Sequence, residues 1–223
     1  MKTLLALILA VTASAQKYPP AFPREGAVKL FENDRVAVWH IVWITGVKQP
    51  IHQHSYDMAG VFLNFGPITV TSPEGVAKPS AEPFLVPRPY FQKALITHKE
   101  EALNPPGTPE RQAVMVDLRE RAPASPAPAA AASRDGAKNV LDNDRVTMWD
   151  YTWKSGATAA LHDSSKDSIE VFVEGGSLRS KDASGQETTA TFAAQDARFV
   201  PRGQIVSETG AGGAPRVIVI ELK

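Results

Sequence analysis

The chain has 223 residues, with 24 basic and 24 acidic side chains, 43% hydrophobic residues and no cysteine. The balanced charge excludes the strongly basic field of a nucleic-acid or anionic-membrane binder. Without cysteine there is neither a thiolate ligand nor a thiol nucleophile, so a metal site must use histidine, carboxylate or amide oxygen.

Lys2 gives a short positive start, Leu4 to Val11 is apolar, and Ala13-Ser14-Ala15 fits the small-x-small rule of signal peptidase. This pattern predicts a secretory signal over 1–15, cleaved near Ala15-Gln16, and a secreted or periplasmic mature protein. The apolar run is too short to span a bilayer, and no cysteine follows to carry a lipid, so no membrane anchor is expected.

Arg35 to Trp43 is rich in β-branched and aromatic residues and reads as a strand. Alternation puts Ala37, Trp39, Ile41 and Trp43 on one face and Val36, Val38, His40 and Val42 on the other. Short strands follow at Val61-Phe62-Leu63, Ile68 to Thr71 and Ala113 to Val116. Residues 122–133 hold only alanine, proline and serine, an extended stiff composition that predicts a linker between domains at 17–121 and 134–223. Further short strands are expected at Glu170 to Val173, Arg198 to Val200 and Val217 to Ile220, separated by glycine-rich turns. No amphipathic helix is evident, so the fold class is all-β.

The two parts are in register. Asn33-Asp34-Arg35-Val36 matches Asn143-Asp144-Arg145-Val146, and Trp39, Trp43, Gly46, His52, Asp57, Val61-Phe62 and Gly66 match Trp149, Trp153, Gly156, His162, Asp167, Val171-Phe172 and Gly176. Such an internal repeat makes each copy one structural unit. The copies part at His52-Gln53-His54 against His162-Asp163-Ser164, so chemistry that needs two histidines belongs to the first.

Gly46, His52-x-His54, Val61-Phe62-Leu63 and Gly66 resemble the first conserved motif of the cupin family. Val86-Pro87-Arg88 and Val200-Pro201-Arg202-Gly203 resemble the start of its second. The resemblance implies a bicupin of two double-stranded β-helix (jelly-roll) barrels, each with a metal site in its mouth. The family's glutamate, three or four residues after the second histidine, is replaced by Met58 and Ala59. Asp57 lies one residue early and should face the wrong way. The histidine that closes the second motif is missing after Val200, where Gln204 to Ser207 stand; in the first copy His98 lies later than usual, and Asn104 loosely echoes the family's asparagine.

Two side chains at i and i+2 on a strand point the same way and can share an ion. The expected ligands of one divalent transition metal (Fe, Mn, Zn, Ni or Cu) are His52, His54 and His98, without a carboxylate, with Gln92 as the other choice for the third. His40 shares a column with Asp150, where a polar pair can support a site or satisfy the rim. The tryptophans read as packing, and the run His162-Asp163-Ser164-Ser165 is no triad by adjacency alone. Two functions remain open: a metal-dependent enzyme acting on a small organic acid or carbonyl compound, or a non-catalytic secreted module that binds a small ligand or serves structure. Catalytic residues are not assigned, the partner is a small molecule, and a homo-oligomer is compatible with either.

Overall fold

The computed structural model describes residues 17–102, 104–105, 107–119, 136–154, 156, 158–163 and 166–223. The predicted signal and linker lie outside them, as do Ser164 and Ser165. Among the described residues every regular element is a strand, and no helix is long and apolar enough to cross a membrane.

The N-terminal half contains β1 (Ala27–Glu32), β2 (Val36–Val42), β3 (His52–Gln53), β4 (Asp57–Asn64), β5 (Ile68–Thr71), β6 (Ala77–Ser80), β7 (Arg88–Gln92), β8 (Thr97–Glu101) and β9 (Gln112–Leu118). They form a five-stranded sheet, β1-β2-β9-β4-β7, and a four-stranded sheet, β3-β8-β5-β6. The C-terminal half contains β10 (Lys138–Asp142), β11 (Val146–Thr152), β12 (Thr158–Asp163), β13 (Ser168–Asp182), β14 (Glu187–Phe192), β15 (Ala197–Val200) and β16 (Ile205–Leu222). These join in one seven-stranded sheet, β10-β11-β16-β13-β14, with β12 on β16 and β15 on β13.

The same local chemistry builds the start of each half. The Asn33 carboxamide oxygen accepts from the backbone N–H groups of Arg35 and Val36 at 2.9 and 3.0 Å. Asn143 does the same for Arg145 and Val146 at 2.8 and 3.0 Å. An asparagine that hydrogen-bonds its own backbone two residues on fixes a tight turn. Each turn joins a bulged strand to a regular one, with the bulge between Lys29 and Phe31 and again between Asn139 and Leu141.

The strand faces are those the alternation predicts. Ala37, Trp39, Ile41 and Trp43 pack with Met58, Phe62, Ile68 and Met115 in a core between the two N-terminal sheets. The opposite face, Val36 and Val38, shares a core with Val146 and Met148, joined by Ala59, Val61, Val114 and Val116 from one half and Ile169, Val171, Ile218 and Ile220 from the other. The halves therefore meet through the valine face of β2 and β11, while the tryptophans serve the interior. Each fully buried aliphatic side chain there contributes about 1.5–3 kcal/mol.

The expectation of short strands separated by glycine turns fails in the C-terminal half. Strands β13 and β16 run 15 and 18 residues, and Gly176 pairs with Gly213 inside them. A Cβ on Gly176 would lie 2.7 Å from the Gly212 carbonyl oxygen and 2.8 Å from the Pro215 ring. These glycines permit close approach where the register shifts and the strands bend, so the chain continues pairing where a turn was expected.

Two reciprocal ion pairs cross the shared core. Arg35 of β2's turn meets Asp167, and Arg145 meets Asp57 at 2.6 Å. Asp57 also accepts the Ala94 N–H at 2.8 Å, and Asp167 the Arg202 N–H at 2.9 Å. Asp57 does face away from the histidines, as expected, because it is an interface residue. Asp57→Ala would leave the nearly buried Arg145 without its carboxylate. The variant is expected to lose about 3 kcal/mol of stability in urea denaturation; a loss below about 0.5 kcal/mol would show the pair to be surface decoration.

Candidate metal centre

Strand β3 supplies His52, and the segment that leaves it supplies His54. The His54 backbone is fixed by the turn that carries the chain from β7 in one N-terminal sheet to β8 in the other: its N–H donates to the Ile96 carbonyl at 3.0 Å and its carbonyl accepts from the Leu95 N–H at 2.7 Å. His98 lies on β8 directly opposite His52 in the antiparallel register, so the two side chains leave the sheet on the same face. This crossing between sheets, followed by the pairing of β8 with β3, is what brings His98, late in sequence, into the site.

The three rings form a near-equilateral triangle, with centroids 5.2 Å (His52–His54), 5.0 Å (His52–His98) and 5.1 Å (His54–His98) apart. One nitrogen from each lies within 4.8 Å of the others, and His54 Nε2 and His98 Nε2 are 3.3 Å apart. Nitrogens about 2.0–2.1 Å from a common ion, at right to tetrahedral angles, lie roughly 2.8–3.4 Å apart. The group could hold a metal ion.

The protonation states suit that role. The Pro50 carbonyl, which can only accept, lies 3.1 Å from His52 Nδ1 and so places the proton there. His52 Nε2 is left with its lone pair toward the cluster, buried and without a hydrogen-bond partner. Burial holds His52 below the usual imidazole value against the pull of Glu100, and burial and the neighbouring His98 bring His54 down to about 3. Both are neutral, the form a metal ligand requires.

Glu100 was missed in the sequence; it stands beside the three-histidine group, which itself holds no carboxylate, as expected. Two residues beyond His98 on the same face of β8, its carboxylate lies 3.5 Å from His98 Nε2 and 3.9 Å from His52 Nε2. Burial raises its pKa, but Arg24, at 2.8 Å, and then His98 and His52 outweigh that and hold it far below the ordinary range. The i, i+2 relation of His98 and Glu100 is the signal that could have found it.

The other candidates stand apart. Gln92 lines the pocket, but its Oε1 accepts the Tyr90 hydroxyl at 2.7 Å and it is outside the histidine group. Asn104 is buried and donates to the Pro109 carbonyl at 3.3 Å. His40 is half-buried away from the cluster, and burial lowers its pKa against a hydrogen bond with Gln112. Its counterpart Asp150 takes two hydrogen bonds from Arg216, at 2.9 and 2.7 Å.

The C-terminal half puts different chemistry at the matching place. In the backbone ladder His162 of β12 faces Val206 of β16, as His52 faces His98, so a buried valine stands in the third ligand's position. Two residues further, Glu208 occupies the place of Glu100. It accepts from Arg198 at 2.5 Å, and Arg198 also reaches Glu170 at 2.6 Å. Burial opposes the charge on this guanidinium, but Glu170 and Glu208 hold it protonated. A guanidinium thus supplies the positive charge between carboxylates in this half.

No protein-family model matches the chain, and no curated protein matches its sequence. Solved structures do. A cupin 2 conserved barrel domain protein from Leptotrichia buccalis is 9% identical, with 88% of each chain covered and a TM-score of 0.53. Lactobacillus farciminis oxalate decarboxylase, in a formate complex, is 13% identical over 91% of this chain and 82% of that one, with a TM-score of 0.59. Bacillus subtilis oxalate decarboxylase, a protein with Mn(II) centres, is 14% identical over 88% and 72%, with a TM-score of 0.58. At these identities the likeness is one of fold: an all-β, cupin-like jelly roll.

On the far side of Phe22, which meets His54 edge-on with centroids 6.3 Å apart, a second cleft reaches Trp39 and Asp117. Burial pushes Asp117 up to about 6 from 3.8, although Trp39 Nε1 donates to it at 3.1 Å. Between those two values the folded state holds a proton that the unfolded chain has released, so stability falls as pH rises through this window. Asp117→Asn should therefore be more stable than the parent at pH 7.5, by about 1–3 kcal/mol in urea denaturation, with the difference shrinking toward pH 4. A difference that is independent of pH would contradict the assignment.

Proposed function

We propose that this chain is an exported bicupin, a duplicated pair of cupin barrels, whose N-terminal barrel binds one divalent transition metal and whose C-terminal barrel is kept for structure. The observation that carries it is the convergence of His52, His54 and His98 on one buried point, with Glu100 beside it and His52 Nε2 buried there and unpartnered. The repeat supports the duplication, and the reciprocal Arg–Asp pairs support a fixed union of the halves. Export rests on the charged start, apolar run and small-x-small site of residues 1–15.

His52, His54 and His98 would hold the ion and Glu100 would complete or support the set, with Arg24 fixing the carboxylate. The bound metal would polarise a substrate oxygen or activate dioxygen on a small organic acid or carbonyl compound. Phe22, Met58, Phe62 and Met115 line the same pocket and exclude water from it. Manganese is the first ion to try, given the Mn(II) centres of the oxalate decarboxylase whose fold this chain shares.

Elemental analysis of the mature protein is expected to find about one transition metal per chain. His52→Ala with His54→Ala should abolish it, Glu100→Gln should weaken retention by roughly 10–100-fold, and Glu208→Gln should leave it unchanged. Metal retained in the double-histidine variant would overturn the site. Metal bound without loss of any small organic acid or uptake of oxygen would favour the non-catalytic binding module instead.

A further inference from the structure

Beside the histidines a cleft of about 260 Å³ opens, walled by Trp43, Phe62, Phe84 and Tyr90, with His98 and Glu100 in its lining. Two arginines, Arg88 and Arg111, also stand in its wall. Arg111 is 4% exposed, and its partners are all neutral: the Gly66 carbonyl at 2.8 Å, the Ser80 carbonyl at 2.9 Å and the Ser80 hydroxyl at 3.2 Å. These bonds fix its plane over Phe84, at 5.3 Å from guanidinium carbon to ring centre, while Arg88 lies over the same ring at 4.7 Å. Neither arginine has an ion pair among the described residues. The acid that lines the cleft, Glu100, is already matched by Arg24.

Other donors there are also unpartnered. Trp43 Nε1 and Gln92 Nε2 are buried without a hydrogen-bond acceptor. Tyr90 is held as a phenol, pushed up to about 12 by burial and then by Glu100. A buried guanidinium without an anion is unfavourable, and a planar carboxylate is the group that best matches it. The aromatic walls favour a flat ring over an extended or strongly hydrated body.

We propose that this cleft binds an aromatic carboxylic acid as its anion, with the carboxylate on Arg88 and Arg111 and the ring among Phe62, Phe84 and Trp43. The inference rests on the metal-site reading for what would happen at the histidines, but binding itself requires only the arginines and the rings. It sets a monoanionic aromatic acid apart from a two-carbon dianion, which would leave those rings uncovered.

The test is calorimetric titration of the full mature chain, metal-stripped and metal-loaded, with benzoate, its neutral isostere benzamide, and oxalate. Benzoate should bind the stripped protein at least about tenfold more tightly than benzamide or oxalate, the scale of one lost charged hydrogen bond. Because Arg111 is buried, its removal also disturbs the fold, so exposed Arg88 carries the test. Arg88→Gln should weaken benzoate about tenfold and leave benzamide unchanged, whereas Phe84→Ala should weaken both. Equal affinity for benzoate and benzamide, tighter oxalate in the stripped protein, or an unaffected Arg88→Gln variant would overturn the proposal. Benzoate binding by a protein that takes up no metal would sink the metal reading alone, and metal uptake without benzoate binding would sink this one alone.

Discussion

The antiparallel pairing of His52 with His98 is the contact on which the rest of the site depends. It puts two imidazoles on one face of a sheet, and the turn ahead of β8 then clamps the backbone of His54 so that its ring completes the triangle. The same strand carries Glu100 two residues on, and Glu100 is acceptable in a buried place because Arg24 reaches it. A slip of one residue in this short pairing would turn His98 and Glu100 to the other face and dissolve all four contacts together. The sheet is held in place by the Trp39, Ile41 and Trp43 face of β2, which fills the space beneath it.

The comparison of the two halves shows how one scaffold can carry a charge with or without an ion. Where His98 stands in one, Val206 stands in the other, and the carboxylate of Glu208 has Arg198 as its partner. A buried carboxylate has to be compensated. In the N-terminal half Arg24 compensates it from one side and leaves the histidine side available for a metal, whereas in the C-terminal half the guanidinium occupies the interior itself. Stacked Phe172 and Phe192, 4.0 Å apart, close around that arginine. The second half is therefore built around an ion pair, and its outer valine and isoleucine face supplies the surface against which the first half packs.

Much of this was legible in the chain. Alternation along Val36 to Trp43 gave both faces of β2, and the His-x-His spacing gave two of the three imidazoles. The third, His98, was reached through the family resemblance, since spacing alone put it too late. Asp57 could be seen to face away from the site, but only the fold reveals Arg145 as its partner. Glu100 was within reach of an i, i+2 reading from His98, but its partner Arg24 was not legible, because the two are 76 positions apart and meet only when β8 is laid beside the N-terminal segment. The long strands β13 and β16 were misread because Gly175-Gly176 and Gly212-Gly213 look like turns, whereas paired glycines let two backbones approach within a continuing ladder. Local signals thus recovered faces and motifs, and the partners set by long-range pairing stayed hidden.

The central claim is that one buried point in the N-terminal half gathers three imidazoles around an ion, with a carboxylate beside them. X-ray absorption spectroscopy of the metal-loaded mature protein tests it most directly. The account predicts a shell with three imidazole nitrogens and the remaining positions filled by oxygen from Glu100 or water, and loss of the imidazole signal in the His52→Ala, His54→Ala variant. An oxygen-only shell, or an imidazole shell that survives in that variant, would contradict it.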